Sequence, residues 1–345
     1  MPIPGGDMTK ILNYVPIKDS SFLFLCWLVS AFVPGIPHPM PIFYGEKGAA
    51  KTTTCELLKS LIDPSALKTI TLTNDQRSLA VNLQQHWFLP FDNVSYINED
   101  TSDTLCRAIT GGGIQQRRLF TNAEDTIFTF QRVLAINGIN NVATRPDLLD
   151  RAILMELRRI SEDKRLELSS LQDAFERDNP AILGGIFDTL AEAMKIYPTV
   201  RLQQLPRMAD FTRWGYAIGE ALGKDGGKQF LGEYAANRAI QNQEAIASDP
   251  VATLIVAFME NQSEWNGTPT DLYKRLEFIA HDHGINTRNK SFPQDPPRLS
   301  KRLNGIRSNL EAAGINFERG KSGNRNLSLQ RANLPSLLSV PSKPA

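Results

Sequence analysis

A lysine and a threonine follow a glycine-containing loop near residue 50, an arrangement that can bind phosphate. The sequence reads FYGEKGAAKTTT over residues 43–54, with Gly45 and Gly48 ahead of Lys51 and Thr52. In such loops, backbone N–H groups at a helix N-terminus point at anionic oxygens, and the lysine reaches the outer phosphates. The threonine hydroxyl binds Mg²⁺. Taken alone, the stretch fits a nucleotide site and an ordinary strand–turn–helix corner equally well.

Alanine occupies the position before the lysine, where phosphate loops normally have glycine. Gly45 and Gly48 can still form the tight turn, and Ala50 is compatible with phosphate binding if its backbone has a negative φ. The residues of the loop expected to contact nucleotide are Gly45, Glu46, Lys47, Gly48, Ala49, Ala50, Lys51, Thr52 and Thr53.

Polar residues end two apolar segments farther along the chain. Asp92 follows WFLPF, where its carboxylate can hold the hydration shell of Mg²⁺ together with the Thr52 hydroxyl. Asn93 occupies the next position, where many hydrolases have a glutamate that activates water. Asn137 ends RVLAI and can orient an attacking water or contact the γ-phosphate. The alternative is that Asp92 and Asn137 simply cap their strands.

Arg151 lies in the stretch RPDLLDRAILMEL, at the end of a predicted helix and just before an apolar segment. This position places it at the edge of the subunit, where an arginine can reach the nucleotide of a neighbouring subunit. A surface ion pair is the other interpretation. The four candidates follow one another in order, each at the end of a predicted element, and this favours a nucleotide site. They are Lys51, Asp92, Asn137 and Arg151.

Short apolar segments predict the strands that position these residues. They are IFY, TITLT (69–73), WFLPFD (87–92), RVLAIN (132–137) and AILMEL (152–157). Because helical patterns separate them, they predict an α/β fold whose parallel sheet is covered on both faces. Residues 163–247 predict amphipathic helices that start at Pro180 and near Arg207.

Composition is that of an ordinary globular protein, with 41% hydrophobic residues, 22% charged residues and a formal net charge of +1. Cys26, Cys55 and Cys106 are scattered, which favours a reducing, cytoplasmic setting without disulfides or a zinc site. The longest apolar run, residues 22–32, is too short to span a bilayer and predicts a buried helix, so we expect no membrane partner. His281 and His283 lack ligands at metal-binding spacing.

The last third of the chain has a different pattern. Three helical segments begin near Pro250, Pro269 and Pro296, and the second has a capping box formed by Thr268 and Asp271. An alternating segment around a glycine-rich turn follows and predicts a β-hairpin. Three helices followed by a hairpin is the order of a winged helix.

Several motifs in order give the sequence a resemblance to a known family. GEKGAAKTT resembles Walker A, WFLPFDN Walker B, LAINGIN sensor 1 and LLDR the arginine-finger box. The sequence resembles an AAA+ ATPase of the helicase group that contains superfamily III and the minichromosome-maintenance-like replication helicases of phages, plasmids and genomic islands. The resemblance covers roughly residues 20–330. Asn93 stands where the family has an acidic residue, so the resemblance does not identify the catalytic base.

This resemblance implies a domain order and a function. It implies an AAA+ P-loop core (20–160), a helical lid (161–247) and a winged helix (250–331), whereas composition predicts a linker (1–19) and a disordered tail (332–345). It implies ATP and Mg²⁺ as cofactors, with Thr52 and Asp92 at the metal. The implied activity is DNA translocation and unwinding by a homo-oligomeric ring, a hexamer, in replication of a mobile element, with a primase as a possible partner. An ATP-dependent loader that remodels a replication partner is the alternative.

Two more parts of the family pattern concern ligands. LPRMADFTRWG resembles the lid segment in which an arginine contacts nucleotide, and Arg207 is the first candidate, with Arg213 behind it. The segment between Walker B and sensor 1 resembles the pre-sensor-1 hairpin, with strands around 114–120 and 126–132. In the ring such hairpins grip single-stranded DNA in the pore, and Arg117 and Arg118 are the candidates here. The alternative is an ion pair across the hairpin.

Positive charge concentrates near the C-terminal end. Residues 288–329 contain nine basic and three acidic residues, although the chain as a whole has a net charge of only +1. A predicted buried stripe is formed by Leu299, Leu303, Ile306 and Leu310, and Arg298, Lys301 and Arg302 lie off it. With Lys321 and Arg325 in the hairpin turn, these residues predict a surface for duplex DNA. A solvated helix face or a protein-binding wing are the alternatives.

Overall fold

The computed structural model describes residues 1–117, 125–138, 145–203, 205–289, 291–320 and 326–332, with the backbone alone at 114–117, 125–128 and 164. The chain forms two compact units, Met1–Gln241 and Asn242–Ala345. The helices of the first unit are α1 (Ser21–Ser30), α2 (Lys51–Ile62), α3 (Gln76–Gln85), α4 (Glu99–Thr110), α5 (Pro146–Leu149), α6 (Leu168–Ile196) and α7 (Ala209–Leu222). Helix α8 (Gly226–Ser248) runs on beyond Gln241.

A four-stranded parallel sheet lies in the first unit, in the order β2-β5-β1-β6. Its strands are β1 (Met40–Tyr44), β2 (Phe88–Phe91), β5 (Val133–Asn137) and β6 (Ala152–Glu156). Every side chain of β2 and β5 is buried, so both faces of the sheet are covered. This confirms a mixed α/β fold with a parallel sheet, as the uninterrupted apolar segments predict.

The predicted strand TITLT is wrong. Among its described residues only Ile70 forms a bridge, to Phe91. Its N–H donates to the Pro90 carbonyl at 3.0 Å, and its carbonyl accepts from the Asp92 N–H at 3.1 Å. Neighbouring threonines add no ladder hydrogen bonds within the described residues, so the segment pairs at one residue. Pro90 is tolerated in β2 because β2 is the edge strand of the four-stranded sheet. On its outer side it is bridged by Ile70.

The N-terminal segment is packed rather than a linker. Residues Met8–Asn13 form a 3₁₀ helix in which Met8 and Ile11 are buried, and Val15 is buried just beyond it. Asp178 on α6 accepts hydrogen bonds from Lys10 Nζ and Tyr14 Oη, both at 2.8 Å. Burial of these apolar side chains against α6 overrides the glycine- and proline-rich composition on which the linker expectation was based.

Helix α6 runs without a break through Pro180, so the predicted helix start there is wrong. An interior proline loses one hydrogen bond and costs about 3 kcal/mol. Buried Phe175, Ile182 and Ile186 lie on either side of the proline, and the Pro180 carbonyl accepts the Ile3 N–H at 2.9 Å. Tertiary packing on both sides of the proline therefore offsets its local cost. The expected buried helix at 22–32 is α1, and the start near Arg207 is that of α7.

An antiparallel hairpin precedes β5, as the sequence predicts. Its strands are β3 (Gly112–Arg117) and β4 (Asp125–Phe130), paired from Gly112 with Phe130 to Arg117 with Asp125. The predicted turn and Arg118 lie outside the described residues, and the side chain of Arg117 is not described.

The second unit has its own apolar core. It contains α9 (Pro250–Glu260), α10 (Pro269–Ala280), α11 (Pro296–Gly305) and α12 (Arg307–Ala312), with β7 (Glu264–Gly267), β8 (Ile315–Arg319) and β9 (Leu327–Arg331) in the sheet order β7-β9-β8. The hairpin β8–β9 and the capping box at Thr268 are confirmed. The predicted third helix is two helices, because the backbone leaves the helical region at Ile306 (φ −105°, ψ 7°). Strand β7 was not predicted.

No helix in the described ranges combines the length and the apolar character needed to cross a membrane.

Candidate functional site

The site is built at one edge of the parallel sheet. Strand β1 runs into the loop that ends at Lys51, Asp92 follows β2 directly, and Asn137 is the last residue of β5. Since all three strands are parallel and adjacent in the order β2-β5-β1, their carboxyl ends meet at the same edge. Strand β5 lies between the other two, so Asn137 is placed between Asp92 and the loop.

Lys51 begins α2 and its side chain folds back over the loop. Its Nζ donates to the carbonyl oxygens of Gly45 at 2.7 Å and Glu46 at 3.0 Å. The ammonium group is thereby held above the N-terminus of a 12-residue helix, where backbone N–H groups and the helix dipole favour an anion. The geometry suits a lysine that exchanges these carbonyls for phosphate oxygens.

The backbone of the loop is left-handed at three positions. Gly45 has a φ of 148°, Gly48 a φ of 85° and Ala50 a φ of 53°. Ala50 therefore does not meet the condition of a negative φ on which its compatibility with phosphate binding was based. The chain must turn sharply between the loop and the first helical residue, and alanine adopts there the conformation that glycine adopts more readily. A left-handed non-glycine residue costs roughly 1–2 kcal/mol, so the loop is strained at this point.

Thr52, Asp92 and Asn137 form one hydrogen-bonded cluster. Asp92 Oδ1 accepts from Thr52 Oγ1 at 2.9 Å and from Asn137 Nδ2 at 2.5 Å. Asn137 Oδ1 in turn accepts from the Asn93 N–H at 2.7 Å, and its side chain is almost fully buried. A hydroxyl and a carboxylate in direct contact are oxygen ligands suited to a hydrated Mg²⁺. The structure thus brings these predicted residues together.

Asn93 adopts a left-handed backbone conformation, with a φ of 51°, directly after Asp92. Asparagine tolerates this conformation better than most residues. Its N–H is fixed by Asn137, while the residue as a whole is exposed. The turn therefore places the Asn93 amide directly beside the Asp92 carboxylate.

Cys55 is a site neighbour that sequence reasoning missed. Its Sγ accepts from Asn137 Nδ2 at 3.5 Å, and complete burial raises the pKa of its thiol to about 12. The thiol therefore stays protonated and packs beneath Asn137. The signal was available, because Cys55 lies four residues after Lys51 and so shares its face of α2.

Arg151 and Arg207 lie together, away from Lys51. Arg151 Nη1 pairs with Asp147 Oδ1 at 2.9 Å, and its side chain is only 11% exposed. Arg207 Nη1 lies 3.1 Å from Asp147 Oδ1 and 2.9 Å from Asp150 Oδ2. The two arginines hold the pKa of Asp147 below its ordinary value, against the effect of burial. The predicted nucleotide contact Arg207 therefore belongs with the predicted finger residue, not with the phosphate loop.

An open pocket adjoins this cluster. It is lined by Asp103, Cys106, Arg107, Thr110, Asp147 and Arg151. Arg151 contributes a buried Nε without a hydrogen-bond acceptor among the described residues. Arg151 therefore has one buried N–H that no described residue accepts.

Only part of the predicted basic surface is free. Arg298 and Lys301 are exposed on α11, and Arg298 makes a loose pair with Asp295 at 3.4 Å. Arg302 instead pairs with the buried carboxylate of Asp249, which caps α9 through the N–H groups of its first turn. Arg302 is exposed as expected, but because it pairs with Asp249 the expectation of a free guanidinium is wrong. The predicted stripe is buried as expected, whereas Lys321 and Arg325 lie outside the described residues.

Comparison with protein families decides what the chain is. A family described as the actinomycete integrative conjugative element replication protein matches residues 7–236. The chain belongs to this family. The C-terminal domain of the same replication protein, RepA, matches residues 251–340. Both units of the chain are thus parts of one replication protein of a mobile genetic element.

Other comparisons add little to the family assignment. No curated protein matches this RepA-family chain. Two solved structures of the NrS-1 C-terminal region, both apo, match with 13% and 10% identity and TM-scores of 0.44 and 0.45. Each match covers 96% of this chain, and they cover 77% and 76% of the solved chains. At these scores the likeness carries no argument about activity.

Proposed function

We propose that this replication protein is an ATP-dependent DNA helicase that acts as a ring, with an AAA+ core, a helical lid and a winged helix. The observation that carries the proposal is the cluster of Lys51, Thr52, Asp92 and Asn137 at the carboxyl edge of a parallel sheet. An amine, a hydroxyl, a carboxylate and an amide that converge at a helix N-terminus match the needs of a magnesium nucleotide.

Each of these groups has a separate task in the proposed reaction. Lys51 would neutralise charge on the outer phosphates, and Thr52 with Asp92 would hold a Mg²⁺ ion, whose charge would stabilise negative charge that develops on the phosphates. Asn137 contacts Asp92 and orients the attacking water beside it. Asn93 is an amide, so it positions water by hydrogen bonding and removes no proton. Slow hydrolysis follows from this arrangement.

The topology supports action between subunits. Arg151 immediately precedes β6, and its carbonyl accepts the N–H of Met40 at the start of β1 at 2.9 Å. It therefore lies at the amino edge of the sheet, whereas Lys51 lies beyond the carboxyl edge. Five residues of extended strand separate the two edges by about 16 Å. We propose that Arg151, with Arg207 beside it, serves the nucleotide of the next subunit in a ring.

DNA contacts in this proposal come from two places. The hairpin β3–β4 holds Arg117 at the last pair of its ladder, toward the turn, where a loop that projects into a pore would carry it. In the second unit, α11 presents Arg298 and Lys301 to solvent. A loader that remodels another replication protein is the second candidate, and the amide at Asn93 favours it because loading requires fewer turnovers than unwinding.

An unwinding assay separates these two candidates. We expect the wild-type protein with Mg²⁺ and ATP to separate the strands of a forked DNA duplex, and to stop when a non-hydrolysable ATP analogue replaces ATP. The ring should be visible by size-exclusion chromatography with light scattering under the same conditions. ATP hydrolysis without strand separation, across forks of either polarity, would favour the loader.

The basic face of α11 makes a prediction about duplex binding. Neutralising two phosphate contacts should reduce the slope of log K against log salt by about two, at roughly 0.9 per contact. We expect this for the double variant Arg298→Gln and Lys301→Gln, measured by fluorescence anisotropy of a labelled duplex at several salt concentrations. ATP affinity should stay as in the wild type.

A matched control is available on α10 of the same unit. Lys274 and Arg275 are also exposed, so the double variant Lys274→Gln and Arg275→Gln removes the same charge elsewhere. It should leave the slope unchanged. Arg302 is kept, because its removal would leave the buried Asp249 carboxylate unpaired. Equal slopes for the α11 variant and the wild type would remove α11 from the DNA surface.

A further inference from the structure

The segment after β6 returns along the phosphate loop. The Leu157 N–H donates to the Tyr44 carbonyl at 2.8 Å, and the Ile160 N–H donates to the Gly48 carbonyl at 3.2 Å. Residues 157–160 are therefore hydrogen-bonded to the loop at two positions, Tyr44 just before Gly45, and Gly48. The residues that follow this segment therefore start beside the loop, at the carboxyl edge of the sheet.

Three arginines lie on or just after this segment, and two of them are engaged. Arg158 Nη2 donates to the Lys18 carbonyl at 2.6 Å. Arg159 Nη1 lies 3.7 Å from a carboxylate oxygen of Glu46, the acidic residue of the loop. Arg165 is exposed, and its guanidinium makes no hydrogen bond or ion pair to any residue that the structure describes.

The Arg165 guanidinium lies against the loop itself. A Cβ atom built on Gly48 would stand 3.0 Å from Arg165 Nη2 and 3.9 Å from its Cζ. Glycine at position 48, with its φ of 85°, thus allows both the left-handed turn and the close approach of the arginine. A positive charge without a partner among the described residues therefore lies within contact distance of the loop before Lys51.

We propose that Arg165 binds the phosphate groups of ATP held by its own subunit, an inference that rests on the proposed nucleotide site. The planar guanidinium can donate two parallel hydrogen bonds to a phosphate group, which Lys51 as a point charge cannot do. The carboxylate of Glu46 lies 3.7 Å from Arg159 Nη1, so the acidic residue of the loop pairs with a different arginine. The site then takes one arginine from its own chain and others from the next.

Nucleotide affinity tests this role. We expect Arg165→Gln to raise the Kd for MgATP by about tenfold or more, the effect of one lost charge-assisted contact, measured by isothermal titration calorimetry on the full chain. A larger loss for MgATP than for MgADP would place the contact at the γ-phosphate, and equal losses would place it at the β-phosphate. Arg165→Lys should restore part of the affinity, because it keeps the charge and loses the fork.

The control is Arg177→Gln, which removes an exposed arginine from α6 and should bind both nucleotides as the wild type does. Unchanged Kd values in Arg165→Gln, with a wild type that binds MgATP, would overturn the role of Arg165 alone. A wild type that binds neither MgATP nor MgADP would overturn the nucleotide site itself. Because Arg165 is exposed, its variants should melt at the wild-type temperature.

Discussion

Lys51→Ala should lower the rate of ATP hydrolysis by at least about 10²–10³-fold, the effect of removing one electrostatic group that stabilises a transition state. The lysine starts α2 directly after the loop, and its Nζ already lies within hydrogen-bond distance of two loop carbonyls. On nucleotide binding the same amine can turn to the β- and γ-phosphates. Release of inorganic phosphate, measured with Mg²⁺ and saturating ATP, gives the rate.

The fold should survive this substitution. Only two partly exposed hydrogen bonds are lost, each worth about 1 kcal/mol, and no buried charge is left without a partner. Lys68→Ala is the matched control, because Lys68 is exposed and lies outside the loop. Wild-type turnover in the Lys51 variant, with its circular dichroism unchanged, would end the phosphate-loop interpretation.

Arg151→Ala should lower hydrolysis by about 10³–10⁵-fold if the arginine completes the neighbouring subunit's site. Mixing this variant with Lys51→Ala protein should then restore part of the activity. In a mixed ring, some interfaces combine an intact phosphate loop on one subunit with an intact arginine on the next. The measurement is ATPase rate as a function of mixing ratio at fixed total protein.

The neighbourhood of Arg151 supplies a control. Arg145 also forms ion pairs at this edge of the sheet, with Glu99 at 3.1 Å and Asp103 at 3.5 Å, so Arg145→Ala tests for general disturbance of α4 and α5. It should retain most of the activity. A wild-type rate per subunit that is independent of protein concentration, together with a mixture that gains nothing, would exclude action between subunits.

The sequence predicted the sheet and its polar edge well, for a physical reason. Strands buried on both faces are continuous apolar runs, and the polar residues that end them stand out against the runs. Parallel pairing then determines which ends meet, so Asp92 and Asn137 could be placed together before any distance was known. The position of Cys55 near the site could also have been predicted, because it lies four residues after Lys51 on the same helix.

Long-range contacts account for what the sequence did not show. The burial of Ile11 depends on α6, and the pairing of Arg302 depends on Asp249, far earlier in the chain. Neither is visible in local composition. The left-handed backbone at Ala50 overrode the preference of alanine because the loop must turn there. Arg165 belongs to no recognised motif. Its position beside the loop follows only from the path of the chain after β6.

The order of the strands also constrains how the chain folds. Strand β1 pairs with β5 on one side and β6 on the other, as in the registers of Ile42 with Ile136 and of Ile42 with Leu154. The ribosome therefore synthesises β5 and β6 long after β1, at a rate of roughly 5–20 residues per second. Until β5 leaves the ribosome, the apolar central strand has neither neighbour, and until β6 follows it has only one. High contact order slows this closing step. Fragments that end before β6 would expose this strand and aggregate.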